Sequence, residues 1–491
     1  MSKGYLFLIG NKADSSVIYK RMIEIAGGND KSRIAIIPST DQYGRNAATD
    51  FESFFINELG LPKENVWTLP VTAFDEATDE GATEKEAIAS QVALAEKLGR
   101  HNIIQFTGGD QREYVDFLKK NKIQSPLLDA IGKVYHDGGI IAATSEGVNI
   151  LAGRSIAADD SEEILLSRVM MKEDDESKVE ILEGLGLIDS FTFDTHLEMR
   201  GRLVRLSDAV VLTGNKFGVG ISEKTAVIIH PDMTLEVIGN GNVLLCDHSK
   251  ARLISKPPEQ LHARDINVTL MSAGDKYKPL TNELFPDQDK ESILNIPYFD
   301  ANDYHVSLSV FKEYDTSQIL INYMLDNEAK DVIALMDYDK VFSHDDVSAF
   351  MRLIETDETQ AWFRKSSGEG NAETLNRYSG ANVHLDVIPV KYSRENKQNK
   401  NFDVVLFGTN NDIQVVVFEN LTSLPICDAK ILIYDSNKKL IFKKGSDRYG
   451  RAVFQKLFKA GAEYSMKITY DNEEKLTSFT FDKDMTGICI Y

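Results

Sequence analysis

Residues 138–153 read GGIIAATSEGVNILAG. A short apolar run from Ile140 to Ala143 ends on Thr144, meets Ser145, passes Glu146 and Gly147, and turns apolar again. The length of the first run and its flanking glycines suit a buried strand. A serine at the end of such a strand has two readings. It can cap the helix that follows. It can also be a nucleophile on a strand–turn–helix elbow, G-x-S-x-G, where small neighbours let crowded backbones pass. Here Ala143 stands in the place of the first glycine and Gly147 supplies the second, so the spacing alone leaves both readings open.

Outward from this stretch, the first part of the chain alternates strands and helices. YLFLIG (5–10), SRIAIIPST (32–40), ENVWTLPV (64–71) and NIIQFTGG (102–109) read as strands. Between them SSVIYKRMIEIAGG, GRNAATDFESFFINELG, TEKEAIASQVALAEKLG and QREYVDFLKK carry helical spacing, three of them with glycine stops. Buried strands separated by helices predict a parallel sheet covered on both faces. Ligands in such folds sit at the carboxyl ends of strands, where Ser145, Gly108 and Gly109 fall. After about residue 200 the pattern becomes rich in short strands and Asn/Gly turns, which predicts hairpins flanking the main sheet. The polar stretch near 275–295 predicts a boundary, and SRENKQNKNFD (393–403) a linker. Between them, ILINYMLDNEAKDVIALM and HDDVSAFMRLIE read as helical and NVHLDVIPVKY as a strand. The final ninety or so residues are strand and turn throughout, the pattern of a small β-sandwich. Three segments follow: 1–280 as an α/β unit, 281–400 as an α+β region of unassigned role, and 401–491 as the β-sandwich.

Bulk properties narrow the function classes. Of the 491 residues 42% are hydrophobic and 27% charged, the balance of an ordinary globular protein. The net charge of −21 argues against nucleic acid, whose phosphates need Lys and Arg. No apolar run reaches the ~18 residues of a membrane helix, so no membrane partner is expected. The N-terminus has no secretory pattern, which points to the cytoplasm. Cys246, Cys427 and Cys489 are far apart and form neither a disulfide framework nor a zinc pattern. Cys246 and His248 alone make no metal site, and neither a metal nor a cofactor is expected.

An elbow serine needs a base and an oxyanion site. FTGGDQ (106–111) offers two glycines after a strand, and FDTHLEMRGRLVRL (193–206) offers His196 beside Asp194, followed by Arg200, Arg202 and Arg205. ADDSEE (158–163) offers carboxylates that could orient a histidine. Singly, each has a bland reading: a turn, a structural histidine, a salt-bridged face, an exposed acidic loop.

Together with GVGISEKTA (218–226), and in this order, these stretches resemble the cyanophycinase branch of the peptidase E family of serine peptidases. The family patterns are a Gly-Gly-Asp-Gln loop, Gly-Thr-Ser-Ala-Gly, Asp-Gln-His followed by Arg-x-Arg, and Gly-Ile-Asp-Glu-x-Thr-Ala. The resemblance spans about residues 1–275. It implies an α/β/α sandwich of the class I glutamine-amidotransferase-like type and a Ser–His–acid triad. Ser145 takes the place of the nucleophile and His196 that of the base. Glu163 is the best match for the acid, with Glu162 and Asp160 as alternatives. The backbone N–H groups of Gly109 and Glu146 match the oxyanion donors. Gln111, Asp194, Arg200, Arg202 and Arg205 match positions that line or support the substrate pocket.

The implied substrates are aspartyl or β-aspartyl peptides, because cyanophycinases cut a poly-aspartate backbone whose side chains carry arginine. Arginines in the pocket suit an aspartyl carboxylate. Within the motifs Ala143, Glu146, Thr195 and Ser222 depart from the family residues, and GNKADSS after the first strand lacks the family's Gly-Gly. Glu146 matters most. Its carboxylate either bonds a cationic substrate group or turns back onto Arg200 or Arg202 and closes the cleft. A serine peptidase of altered substrate is the first expectation, and a catalytically weakened homologue acting as a binding or assembly protein is the second. An α/β-hydrolase-type esterase shares the chain order but lacks a His-Gly-Gly loop. Residues 427–470 resemble a transthyretin-like, carboxypeptidase-regulatory β-sandwich. A homodimer remains open.

Overall fold

The computed structural model describes residues 4–11, 16–39, 42–70, 84–119, 125–157, 180–255, 261–294, 306–307, 315–327, 331–335, 347–364, 377–393, 402–409, 412–419, 425–448, 450–455, 458–485 and 487–490. In chain order the first half runs β1 (Tyr5–Ile9), α1 (Ser16–Ile25), β2 (Ile34–Ile37), α2 (Gln42–Ser53), β3 (Val66–Thr68), α3 (Glu84–Leu98), β4 (Ile103–Phe106), α4 (Gln111–Leu118), α5 (Pro126–His136) and β5 (Ile140–Thr144). It continues with β6 (Arg154–Ala157), β7 (Glu180–Glu183), β8 (Phe191–Thr195), α6 (Leu203–Thr213), β9 (Phe217–Ile221), β10 (Thr225–Ile229), β11 (Leu235–Gly239), β12 (Val243–Asp247), β13 (Arg252–Leu253), β14 (Ala263–Met271), β15 (Lys276–Lys278) and β16 (Glu283–Phe285).

The first sheet has the order β16-β15-β11-β10-β1-β5-β4-β2-β3. The five strands from β1 to β3 are parallel, and β10, β11, β15 and β16 extend the sheet antiparallel. The strands are apolar on both faces because both faces are covered. Leu6, Leu8, Ile141 and Ala143 enter one core with α5, and Phe7, Ile9, Ile140 and Ala142 enter another with α1 and Phe51 of α2. This is the two-period alternation of a strand, buried on both sides.

From β8 onward the chain shuttles between this sheet and a second one. β8 and β9 pair in parallel, and β9, β12 and β14 follow antiparallel. Phe193, Val219 and Leu245 face the first core, while Leu244, Val268 and Leu270 face a third core shared with α6. Thus β10–β11 flanks the main sheet as a hairpin, whereas β12 and β14 belong to the second sheet. That sheet does not stop near 280. β14 pairs with the strand Tyr378–Ser393, which pairs with Gly487–Ile490, and through it with Phe402–Thr409 and Asp412–Glu419. The strands Lys430–Asp435, Leu440–Gly445, Glu463–Tyr470 and Glu473–Thr480 form a four-stranded sheet, whose Ile431, Ile433, Met466 and Phe479 share one further core with Phe402 and Val404. The whole is an α/β core joined to extended β structure.

The region 281–400 differs from the helical expectation. HDDVSAFMRLIE lies partly in an 18-residue strand, Val347–Arg364, paired antiparallel with Tyr378–Ser393. The period-two row Val347, Ala349, Met351, Leu353 explains this, since Met351 and Leu353 are buried in the third core. Similarly, ILINYMLDNEAKDVIALM splits into α7 (Asp315–Leu320) with a single following turn to Leu325, and a strand at Asp331–Leu335. No helix among the described residues is long and apolar enough to cross a membrane.

Candidate active site

Three strand ends converge. β5 stops at Thr144, and Ser145 takes a positive φ of 54° before a tight turn over Ser145–Leu151. β8 stops at Thr195, and His196 takes the same positive φ of 54°. Non-glycine residues held there cost about 1–3 kcal/mol each, so the surroundings must fix them. Because β8 and β9 are parallel, with Thr195 opposite Ile221, His196 and Glu223 emerge side by side at one end.

The elbow geometry is built from crowding. A Cβ on Gly147 would lie 2.3 Å from the Thr107 carbonyl oxygen, so glycine is required there. Gly108 lies against the serine: a Cβ on it would stand 3.2 Å from Ser145 Cβ and 3.3 Å from Tyr43 Cε1. Gly109 follows with φ 129°. The structure therefore brings the FTGG loop beside the hydroxyl, as an oxyanion site requires. Behind the elbow, Thr144 Oγ1 accepts from Gln105 Nε2 at 3.1 Å and lies 3.2 Å from the Tyr19 hydroxyl.

Ser145 Oγ lies 2.7 Å from His196 Nε2, and His196 Nδ1 lies 2.7 Å from Glu223 Oε1. The serine caps no helix: its partners are His196 and the carboxylate of Glu146, to which its hydroxyl donates. A hydroxyl on one ring nitrogen and a carboxylate on the other is the arrangement that can activate a nucleophile. Glu163, Glu162 and Asp160 lie outside the described residues, and the carboxylate found on His196 Nδ1 is Glu223. Glu223 carries no role in the sequence reading, although it stands where the family pattern Gly-Ile-Asp-Glu-x-Thr-Ala has its glutamate. Glu223 sits in the β9–β10 turn, which Gly10 allows to approach β1, since a Cβ on Gly10 would strike the Ser222 carbonyl oxygen at 2.0 Å.

Glu146 lies across the mouth. Its Oε1 is 3.5 Å from His196 Nε2, 3.9 Å from Arg202 Nη1 and 4.0 Å from Arg200 Nη1. It is the turned-back arrangement, beside a Ser145 that is 4% exposed. Burial opposes the Glu146 charge, but the His196 imidazole and the Ser145 hydroxyl outweigh it and hold the carboxyl well below the usual range. Burial likewise pushes the imidazole down, yet Glu146 and then Glu223 more than compensate, so His196 titrates above its ordinary value.

The arginines divide. Arg205 and Asp194 are buried against each other, Nε to Oδ2 at 3.0 Å, behind Arg202, whose Nη1 lies 3.5 Å from Asp194 Oδ1. Arg202, 1% exposed, donates to the Thr195 carbonyl at 2.9 Å, bracing the turn into His196, with one edge toward Glu146. The Arg200 side chain is 47% exposed and approaches Glu146 only at the long distance of 4.0 Å. Gln111 is buried, its amide donating to the Ile156 carbonyl at 3.3 Å.

Among curated proteins the chain is similar to several cyanophycinases. The cyanophycinase of Synechococcus elongatus is 29% identical over 290 residues, 57% of this chain and 81% of that protein. That of Geminocystis herdmanii is 26% identical over 280 residues, 56% and 92% respectively. That of Trichormus variabilis is 28% identical over 264 residues, 53% and 79%. No family model matches the chain. Among solved structures, native alpha-2-macroglobulin from Escherichia coli (domains MG0-NIE-MG1) has a TM-score of 0.15 at 7% identity, covering 52% of this chain and 93% of that one, too low to bear on the fold. Over a little more than half of its length, the chain is related to the cyanophycinases, a relation to hydrolases of the peptidase class.

Proposed function

We propose that this chain is a serine-type peptidase of the cyanophycinase kind, acting on aspartyl or β-aspartyl substrates such as β-Asp-Arg polymers. The observation that carries the reading is the Ser145–His196–Glu223 relay, with both hydrogen-bond distances at 2.7 Å. Ser145 Oγ attacks the scissile carbonyl carbon while His196 Nε2 takes its proton. Glu223 holds the ring and stabilises the imidazolium. The developing oxyanion turns to the backbone N–H groups of Gly109 and Glu146. His196 then returns the proton to the leaving amine, and water repeats the sequence to free Ser145. Arg200 is the exposed cation available to a substrate carboxylate. The cyanophycinase names of the relatives support the substrate class.

A second reading has its own observation. Glu146 receives the Ser145 hydroxyl and stands between His196 and Arg202, which favours a weakened enzyme that binds in the cleft. Incubation with β-Asp-Arg polymer, followed by assay for β-aspartyl-arginine, separates the two. Release by wild type and none by Ser145→Ala is the expected result. Release unaffected by Ser145→Ala overturns the peptidase reading. No release by either wild type or Glu146→Ala favours the second.

A further inference from the structure

The loop that carries His196 is anchored from a distant part of the chain. Its next two residues are Leu197 and Glu198. Glu198 is 2% exposed and accepts from Asn242 Nδ2 at 3.2 Å, and the fully buried Ser317 hydroxyl of α7 donates to the same oxygen. Burial pushes the Glu198 carboxyl upward, toward its neutral form. Leu197 shares one apolar core with Ile319, Leu320, Ile321, Met324 and Leu325. Leu325 in turn lies against Gly380, in the strand that pairs with β14. Of the two residues that leave the His196 corner, Leu197 packs on β9, its N–H donating to the Ile221 carbonyl at 3.3 Å, and Glu198 reaches the segment 315–325 through Ser317.

We infer that this segment is a brace for the proposed catalytic base: Ser317 and Glu198 are positioning residues that hold the His196 loop against Ser145, which gives the region 281–400 a part in the reaction. The inference rests on the hydrolase reading. The physical argument is the positive φ of His196. A side-chain-bearing residue leaves that region unless its neighbours are fixed. The hydrogen bonds within the corner, Arg200 N to His196 O at 3.1 Å and Arg202 N to Leu197 O at 2.8 Å, hold its shape but not its place. Its place comes from Arg202 on the Thr195 carbonyl, from the Leu197 N–H on the Ile221 carbonyl at 3.3 Å and, from the distant segment, from Glu198 on Ser317. A displacement of about 1 Å at a reacting group costs on the order of 100-fold in rate.

The test uses the full chain with Ser317→Ala, Glu198→Ala and Glu198→Gln. It reads kcat and KM on β-Asp-Arg polymer and, separately, the His196 imidazole titration by NMR. That ring faces Glu146, Glu223 and Arg202, so withdrawal changes its midpoint. Glu198→Ala is expected to lower kcat about tenfold or more and Ser317→Ala several-fold, with KM nearly constant. Both should move the His196 midpoint down. Glu198→Gln, a neutral isostere that still accepts from Ser317 and Asn242, should restore both. If Glu198→Ala does not fold, the milder Ser317→Ala decides. Wild-type kcat and midpoint in Ser317→Ala, or a lowered kcat with an unmoved midpoint, overturns the brace. A wild type that releases no product while the midpoint still moves in Ser317→Ala defeats the hydrolase reading and leaves the brace standing.

Discussion

Glu146 governs the site at the scale of single residues. Its carboxylate takes the Ser145 hydroxyl and helps raise the His196 titration, so it favours the imidazolium, which cannot accept a proton. Activity should therefore rise with pH through a His196 value above the ordinary ~6.5. Glu146→Gln should move the acidic limb of the kcat/KM profile to lower pH and raise turnover of β-aspartyl-arginine substrates several-fold at neutral pH. An unmoved limb or a slower variant contradicts this. For stability the signs are opposite for the two partners. The raised histidine contributes fully below ~6.5 and loses this as pH climbs through its folded value; the depressed carboxyl contributes above ~4.3 and loses this in acid. The pair thus stabilises most between those limits. The sequence made Glu146 conspicuous as the neighbour the family pattern lacks, and it named Arg200 and Arg202 as partners. It did not reveal that the carboxylate also reaches Ser145 and His196, because that depends on a positive φ at each of two corners.

Elements explain why some of the site was readable. The run IIAATSEG carries its own strand, corner and glycine, so the elbow can be read from local residues. Gly147→Ala should test this directly, because the new methyl meets a backbone carbonyl that cannot step aside. Loss of most activity with a destabilisation of about 1–3 kcal/mol is expected, read as a fall in Tm together with kcat/KM. A variant with wild-type values for both would show that the corner is looser than described. The carboxylate on His196 was harder to read because its proximity is set by the parallel pairing of β8 with β9, a contact between segments more than twenty residues apart. HDDVSAFMRLIE reads as helix, although Val347 onward lies in the strand Val347–Arg364, because short apolar runs fit both periods. Its alternation, Met351 and Leu353 inward, is decided by the partner strand Tyr378–Ser393.

Across the whole molecule, the parallel first half was legible from alternating strands and helices, whereas the joining of its second sheet to the last two segments was not. No local pattern announces that Tyr378–Ser393 will pair with β14. One consequence is that a chain ended after residue 280 should behave poorly. It bares the β14 edge and the apolar face of Leu244, Val268 and Leu270. Such a piece should aggregate or melt without cooperativity in size-exclusion and thermal experiments. A monodisperse, cooperatively melting piece with full turnover would contradict this. The most direct measurement on the site is fluorophosphonate labelling of the full chain, with the adduct located by mass spectrometry. The expected result is attachment at Ser145, faster in Glu146→Ala and absent in Ser145→Ala and His196→Ala. No adduct at Ser145 in either wild type or Glu146→Ala, or undiminished labelling of His196→Ala, would contradict a serine nucleophile activated by His196 and held by Glu223.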